Sequence, residues 1–244
     1  MVCFPHAGGF SLYYSFMKDA KYQNITEVCL FDYNRPRSGD KRACFEDFVK
    51  DAAEYVLKQQ VSAGDYILFG HSMGAFVACE CGLLLQEQGI PPAGVIVSGQ
   101  NPPFYYREKS WELPKDTDAY LQKLGGIPDF IKDSDTAYSF FKQMICDDMH
   151  VLETYRPSFP TEDERLPLGM NMVGDSDMVI IPEAEPLWHN TFHEIYRTQR
   201  FSGGHFYFDG HYQEITDLID EFAGYAERNK KYVYRIQKCS EKIR

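Results

Sequence analysis

The stretch YILFGHSMGAFVACECGLLLQEQG, residues 66–89, constrains this chain more than any other. A short apolar run of strand-forming residues ends at Gly70, and a long helix-forming run starts at Met73. Between them Ser72 stands in the pattern G-x-S-x-G, with Gly70 and Gly74 two residues to either side. Glycine and serine are common enough that the pattern alone arises by accident in roughly one chain in ten of this length. Context therefore decides. A strand before and a helix after make the pattern a nucleophile elbow, a strained turn that presents a reactive hydroxyl. Bulky side chains two residues away would clash in such a turn, and glycine removes them. The N-terminus of the following helix offers unpaired N–H groups and a positive dipole end. The N–H of Met73 is thus placed to bind developing oxyanion charge.

The same strand-then-helix rhythm runs through the chain. MVCF, EVCLFDY, YILFG, GVIVSG, LGMNMV and EIYRTQRF read as strands, short, rich in Val, Ile, Leu and Phe, and closed by glycine, proline or polar residues. Helical patterns fall near residues 11–19, 45–59, 73–88, 183–192 and 209–228. Continuous rather than alternating apolar strands point to a buried, parallel sheet with helices on both faces. Residues 101–165 break the rhythm with no strand pattern. This excursion opens on NPPFYY, closes on RPSFPTEDER and contains two helical pieces, DTDAYLQKLGG and TAYSFFKQMICDDMHVLETY. An insertion of this length inside a compact domain is usually functional, often a lid. Its large apolar residues, among them Tyr105, Tyr106, Trp111, Tyr120, Phe130, Tyr138, Phe140, Phe141, Met144, Met149 and Tyr155, are candidates for the wall of an apolar pocket or for a small satellite core. The expected organisation is one domain over residues 1–244, with a lid insertion at 101–165 and a basic extension at 226–244.

A net charge of -11 argues against nucleic acid as a partner. No apolar run approaches the length of a membrane helix, and MVCFPHAGG lacks the basic start and apolar core of a secretory signal. Seven scattered cysteines are not a disulfide framework, so a reducing cytoplasm is expected. The segment from Ala226 carries seven basic and two acidic residues, which suits a solvated helix or frayed end, or a docking surface for an acidic partner.

A serine hydroxyl needs a base, and the base needs an orienting acid. His205 stands in the glycine-rich loop FSGGHFYFDG after the last strand, and Asp175 and Asp177 stand in the loop of MNMVGDSDMVI before it. All three elements fall at the C-terminal ends of strands, where open parallel sheets gather their sites. Competing histidines are weaker. His71, next to the serine, would point elsewhere, and His150 lies in the excursion beside Asp147 and Asp148. His211 falls just past the histidine loop. His189 and His193 have a zinc-compatible spacing without an accompanying glutamate or third ligand. A second oxyanion donor is expected from the turn in CFPHAGG, where Gly8 and Gly9 let backbone approach a ligand.

In this order FPHAGG, LFGHSMGA, VSGQNPP, LGG, ETY, VGDSDMV and GGHFYF resemble a type II thioesterase, one of the stand-alone α/β-hydrolases that accompany polyketide synthases and nonribosomal peptide synthetases. The animal medium-chain fatty-acid thioesterases are relatives of that family. The resemblance spans about Val2 to Ile219. It implies Ser72 as nucleophile, His205 as base, Asp177 as acid, and the N–H groups of Ala7 and Met73 as the oxyanion hole. It implies acyl groups carried on the phosphopantetheine arm of an acyl or peptidyl carrier protein as substrates. The expected enzyme is a monomer with no cofactor or metal of its own. Departures from the family are YNRPRSG where PGR is usual, CDD at Cys146–Asp148 where RAD is usual, and a chain that begins almost in its first strand. A medium-chain fatty-acyl thioesterase, a carboxylesterase or acyltransferase with the same triad, and an inactive carrier-binding module are the alternatives.

Overall fold

The computed structural model describes residues 1–35, 44–109, 111–112, 114–125, 127, 131 and 133–233. Among the described residues six strands form one sheet: β1 (Val2–Phe4), β2 (Cys29–Leu30), β3 (Ile67–His71), β4 (Gly94–Ser98), β5 (Leu166–Gly174) and β6 (Phe192–Phe201). Their order is β2-β1-β3-β4-β5-β6, and every neighbouring pair is parallel. The chain runs outward from β1 to β2, then crosses back to β3 and continues the other way. The reversal makes the C-terminal ends of β1 and β3 the switch point, the place where such sheets hold ligands.

Period-2 alternation explains the continuous apolar strands. Phe4, Leu68, Val95 and Val97 enter the core on one face, while Cys3, Ile67, Phe69 and Ile96 enter the core on the other. Helix α2 (Phe45–Lys58) covers the first face with Phe45, Phe48, Val49, Ala52, Ala53 and Val56, an i, i+3, i+4 stripe. Helix α3 (Met73–Glu87) lies on the same face and is buried on nearly every side. On the other face sits α1 (Ser15–Asp19), preceded by a 3-10 turn at Ser11–Tyr14. A later helix, α6 (Tyr212–Arg228), lies beside it and buries Ile215, Leu218, Ile219 and Phe222.

The sequence-based elements near 73–88 and 45–59 match the structure closely, and three others differ. The stretch near 183–192 is a 3-10 segment, Pro182–Asn190, because Pro186 inside it cannot donate to an α-helical ladder. EVCLFDY contributes only two paired residues, as the edge strand β2. The final strand starts at Phe192, earlier than its apolar pattern indicates.

Between β4 and β5 the described residues of the excursion contain no strand. Helix α4 (Thr117–Leu124) is capped by Asp116, which accepts from Ala119 N–H at 3.0 Å. Helix α5 (Asp135–Glu153) is capped by Ser134, which accepts from Ala137 N–H. Phe130 and residues 234–244 of the basic extension lie outside the described residues. The described part of that extension docks on the body. Lys230 pairs with Asp65 and Glu227, Lys231 pairs with Glu194, and Val233 is buried. Among the described residues no helix is long and apolar enough to cross a membrane.

Candidate active site

Ser72 sits between β3 and α3 with φ 55° and ψ -119°, a conformation that costs a non-glycine residue energy. Close backbone packing holds it there. A Cβ on Gly70 would lie 1.9 Å from the Gly74 carbonyl oxygen, and one on Gly74 would lie 2.2 Å from that of Phe4. The elbow therefore closes only because both residues lack side chains. Ser72 N–H donates to Ser98 O of β4 at 2.8 Å, tying the turn to the neighbouring strand. Met73 opens α3, so its N–H has no intrahelical acceptor.

His205 follows β6 and is buried, and its Nδ1 lies 2.9 Å from Asp177 Oδ2. The other oxygen of Asp177 accepts from Val179 N–H at 2.9 Å, which orients the carboxylate toward the ring. Asp175 is exposed and turned away. It accepts from the Ser176 hydroxyl and from Gly203 N–H, and these bonds lower its carboxyl pKa. Of the two candidate acids, Asp177 is the one that meets the histidine, and Asp175 shapes the loops around it.

Ser72 and His205 line one cavity, with His6 and Ala7 of the loop after β1 on its rim. The cavity encloses about 610 Å³ of atom-free space including its mouth. Trp111, Tyr120, Phe141 and Met149 of the insertion form part of its wall. Other large residues of the insertion, among those described, go elsewhere. Met144 and Tyr155 are buried in the protein, Tyr138 bonds to Asp118, and Phe140 is exposed. Both readings of that aromatic set therefore hold, each for different residues. Tyr155 anchors the end of the insertion, packing on Phe76 and donating to the buried Glu80 of α3 at 2.8 Å.

Three histidines converge on this region, with ring centroids 5.9 Å apart for His6 and His71 and 4.8 Å apart for His71 and His205. Burial, reinforced by His205 and Arg35, pulls the His6 imidazole down to about 3, so it is neutral near pH 7. Its Nδ1 lies 2.7 Å from the Tyr14 hydroxyl. Burial likewise holds His71 well below the ordinary range, and its Nδ1 meets Ser98 Oγ, which in turn meets the Tyr207 hydroxyl at 2.6 Å. His71 therefore points beneath the site, as the elbow geometry requires. The other histidines are elsewhere. His150 pairs with Glu153, His211 lies at the N-cap of α6 against Ser202 and Glu214, and His193 stacks on Tyr232.

Sequence reasoning missed one group at the site. Asp148, taken with its neighbours as part of the excursion, has a side chain only 1% exposed and accepts from Gly8 N–H at 2.7 Å. Arg35 grips the same carboxylate, Nε to Oδ1 at 3.0 Å and Nη2 to Oδ2 at 2.7 Å, and donates to Gly9 O at 2.9 Å. The arginine that CDD lacks locally is thus supplied from YNRPRSG.

Residues 1–223 match the family described as Thioesterase domain. The chain belongs to this thioesterase family. A probable cadicidin biosynthesis thioesterase of Streptomyces griseus is 27% identical over 224 residues, 90% of this chain and 61% of that protein. Thioesterase PikA5 of Streptomyces venezuelae is 28% identical over 229 residues, 91% of this chain and 79% of that protein. Among solved structures, YbtT, a type II thioesterase from the yersiniabactin NRPS/PKS biosynthetic pathway, superposes with a TM-score of 0.72 at 24% identity, covering 92% of each chain. The fold is that of the α/β-hydrolases, as the order of motifs led us to expect, and the resemblance to type II thioesterases is borne out. The chain spans about 61% of the first of these relatives.

Proposed function

We propose that this thioesterase-family chain hydrolyses acyl thioesters carried on the phosphopantetheine arm of an acyl or peptidyl carrier protein. The observation that carries the reading is the Asp177–His205 pair at 2.9 Å, buried beside the same cavity that Ser72 enters from a strained elbow. Asp177 holds Nδ1–H, which leaves Nε2 as the basic nitrogen for the serine proton. Ser72 Oγ attacks the acyl carbon as His205 takes its proton. The N–H groups of Ala7 and Met73 receive the developing oxyanion, and Ala7 N–H has no acceptor among the described residues. The tetrahedral intermediate collapses, and the phosphopantetheine thiol leaves with a proton from His205. A thiol of pKa near ~8.5 leaves readily and needs little acid assistance. Water, activated by the same histidine, then releases the acid and restores the serine. Every group in this sequence belongs to the chain itself, so the proposed chemistry requires no cofactor.

The biological task we infer is editing, the removal of stalled or wrong acyl units so that a carrier thiol is free again. The test is a set of acetyl, butyryl, hexanoyl and octanoyl groups on one carrier protein, followed by mass spectrometry of the carrier and of Ser72. Hydrolysis with an acyl adduct on Ser72 and comparable kcat/KM across the series supports editing. Each acyl methylene fully buried would contribute about 0.8 kcal/mol, close to fourfold. A rise of several hundredfold toward octanoyl would instead favour a fatty-acyl thioesterase, the reading that the apolar wall of Trp111, Phe141 and Met149 supports. Turnover of simple esters but not of carrier thioesters would reject both. No adduct with any substrate or serine-directed inhibitor would leave the inactive carrier-binding module.

A further inference from the structure

We propose that Asp148 is a positioning residue for the oxyanion loop, holding that loop from within the insertion, with Arg35 as the counter-charge that makes the arrangement catalytically usable. This rests on the reading of Ala7 N–H as an oxyanion donor. The turn after β1 has few anchors of its own. Gly9 N–H closes it on His6 O at 2.8 Å. Its other ties come from outside: Gly8 N–H to Asp148, Gly9 O to Arg35, His6 N–H to the Tyr14 hydroxyl at 3.3 Å, and the Tyr33 hydroxyl to Pro5 O at 2.9 Å. Ala7 N–H, one peptide unit earlier, is left pointing free among the described residues. The His6–Ala7 peptide that carries this N–H is held at His6 O by Gly9 N–H and adjoins the Ala7–Gly8 peptide that Asp148 holds, so the direction of Ala7 N–H is tied to where Asp148 stands.

Asp148 stands on α5, and α5 bears on the turn at two points one helical turn apart. Gly8 has φ +72°, and a Cβ there would lie 2.2 Å from Ile145 Cγ1. Ile145 thus presses on the turn while Asp148 draws its N–H toward the helix. Ile145 also lines the cavity, so the same helix forms acyl wall and loop support. The insertion and the oxyanion loop are therefore set together: when the second half of α5 is docked, the loop has its geometry.

Charge explains the arginine. A buried carboxylate one residue from an oxyanion donor would oppose the negative charge that forms in the transition state, because like charges interact strongly where water is excluded. Arg35 meets both oxygens of that carboxylate through two of its nitrogens and offsets its charge, and Oδ2, which accepts from Nη2, also accepts from Gly8 N–H. The pair joins residues 113 apart in the chain. Both lie where the sequence departs from the family pattern, so neither is explained by its own neighbourhood.

The experiment compares Asp148→Ala, Asp148→Asn, Arg35→Ala and Arg35→Lys in the full chain. It reads kcat and KM with an acyl-carrier thioester, thermal midpoint, and backbone hydrogen exchange of residues 4–12. For Asp148→Ala we expect kcat to fall on the order of 100-fold, the scale of a lost oxyanion donor, with KM changed by less than about threefold. Exchange across the turn should rise. Asp148→Asn keeps an acceptor for Gly8 and should restore most of the lost kcat. Arg35→Ala should lower kcat more than Asp148→Asn does, and Arg35→Lys should recover part of it. A loss of thermal stability with kcat unchanged overturns the proposal, as does a KM effect without a kcat effect. Should Asp148→Ala fail to fold, Arg35→Ala against Arg35→Lys carries the same kcat comparison. Should the wild-type chain hydrolyse no thioester, the proposed function fails and the catalytic part of this proposal with it, while exchange across residues 4–12 in Asp148→Ala still decides whether Asp148 holds the loop. Unchanged exchange across residues 4–12 in the variants would show that Asp148 does not hold the loop.

Discussion

At the rim of the sheet, backbone meets backbone. Gly70 and Gly74 lie against carbonyl groups at distances no Cβ can share, and Ser72 is tied to Ser98 across the adjacent strand. In the insertion, side chain meets side chain. Leu121, Ile127, Ile145 and Met149 form a small cluster of their own, apart from the two cores that sandwich the sheet. Side chains repack when a neighbour changes, whereas a backbone carbonyl in a central strand cannot step aside. The rim thus gives fixed placement to Ser72 and its neighbours, and the insertion gives an adaptable wall. Polar contacts join the insertion to the rest of the molecule at several points, among them Asp148 to the turn after β1, Tyr155 and Ser158 to Glu80 of α3, and Asn101 to Val179 and Ile181.

The largest effect should come from the smallest change at the rim. Ser72→Ala removes one hydroxyl and should lower kcat on the order of 10,000-fold or more with an unaltered thermal midpoint. Retained activity, or an acyl adduct on another residue by mass spectrometry, would break the assignment of chemistry to the rim. Next comes Asp177→Asn, which should cost about 1,000-fold to 10,000-fold in kcat by disturbing the histidine tautomer. Asp175→Asn should cost less than about tenfold, since that carboxylate faces loop atoms and not the ring. Equal losses in kcat/KM would mean that the two aspartates have been distinguished wrongly.

The structural half of the comparison is tested by stability. Gly74→Ala should destabilise the fold by about 4 kcal/mol or more, the range reserved for severe clashes. The volume-conserving Leu121→Met in the insertion should cost less than about 1.5 kcal/mol. Urea unfolding of both variants measures the contrast, and similar values would erase it. A further effect concerns acid. His6 is held at about 3 when folded and returns to about 6.5 when unfolded. Below pH 6.5 the unfolded chain therefore binds a proton that the folded chain refuses. Stability from this group is complete above pH 6.5 and is lost as pH falls toward 3, by up to about 1.4 kcal/mol per pH unit. Urea unfolding between pH 7.5 and pH 4.5 should show a shallower decline for His6→Gln than for the wild type. An identical slope would mean that His6 takes up its proton in the folded state.

Local patterns carried a large part of the site. The elbow was legible because a strand, a tight turn and a helix are all specified by residues adjacent in the chain, and glycine has few substitutes where a Cβ would strike a carbonyl. The histidine loop was legible for the same reason, as a glycine-rich end to a strand. The choice between Asp175 and Asp177 was not legible from local chemistry, since both are aspartates in one turn, and only the resemblance to a family separated them. Arg35 and Asp148 were each visible as departures from a pattern and meant nothing singly.

The sequence by itself determined the strand–helix alternation, the two-faced burial of the sheet and the order in which serine, acid and histidine reach its rim. These depend on periodicity and on turn chemistry, which act over a few residues. Tertiary structure decided which aromatics of the insertion face the cavity, how Asp177 comes to meet His205, and that a carboxylate of the insertion reaches across to the turn after β1. Those are contacts between segments distant in the chain, and their geometry comes from how whole layers pack. A side chain's direction across such a distance is set by that packing, and no local pattern encodes it.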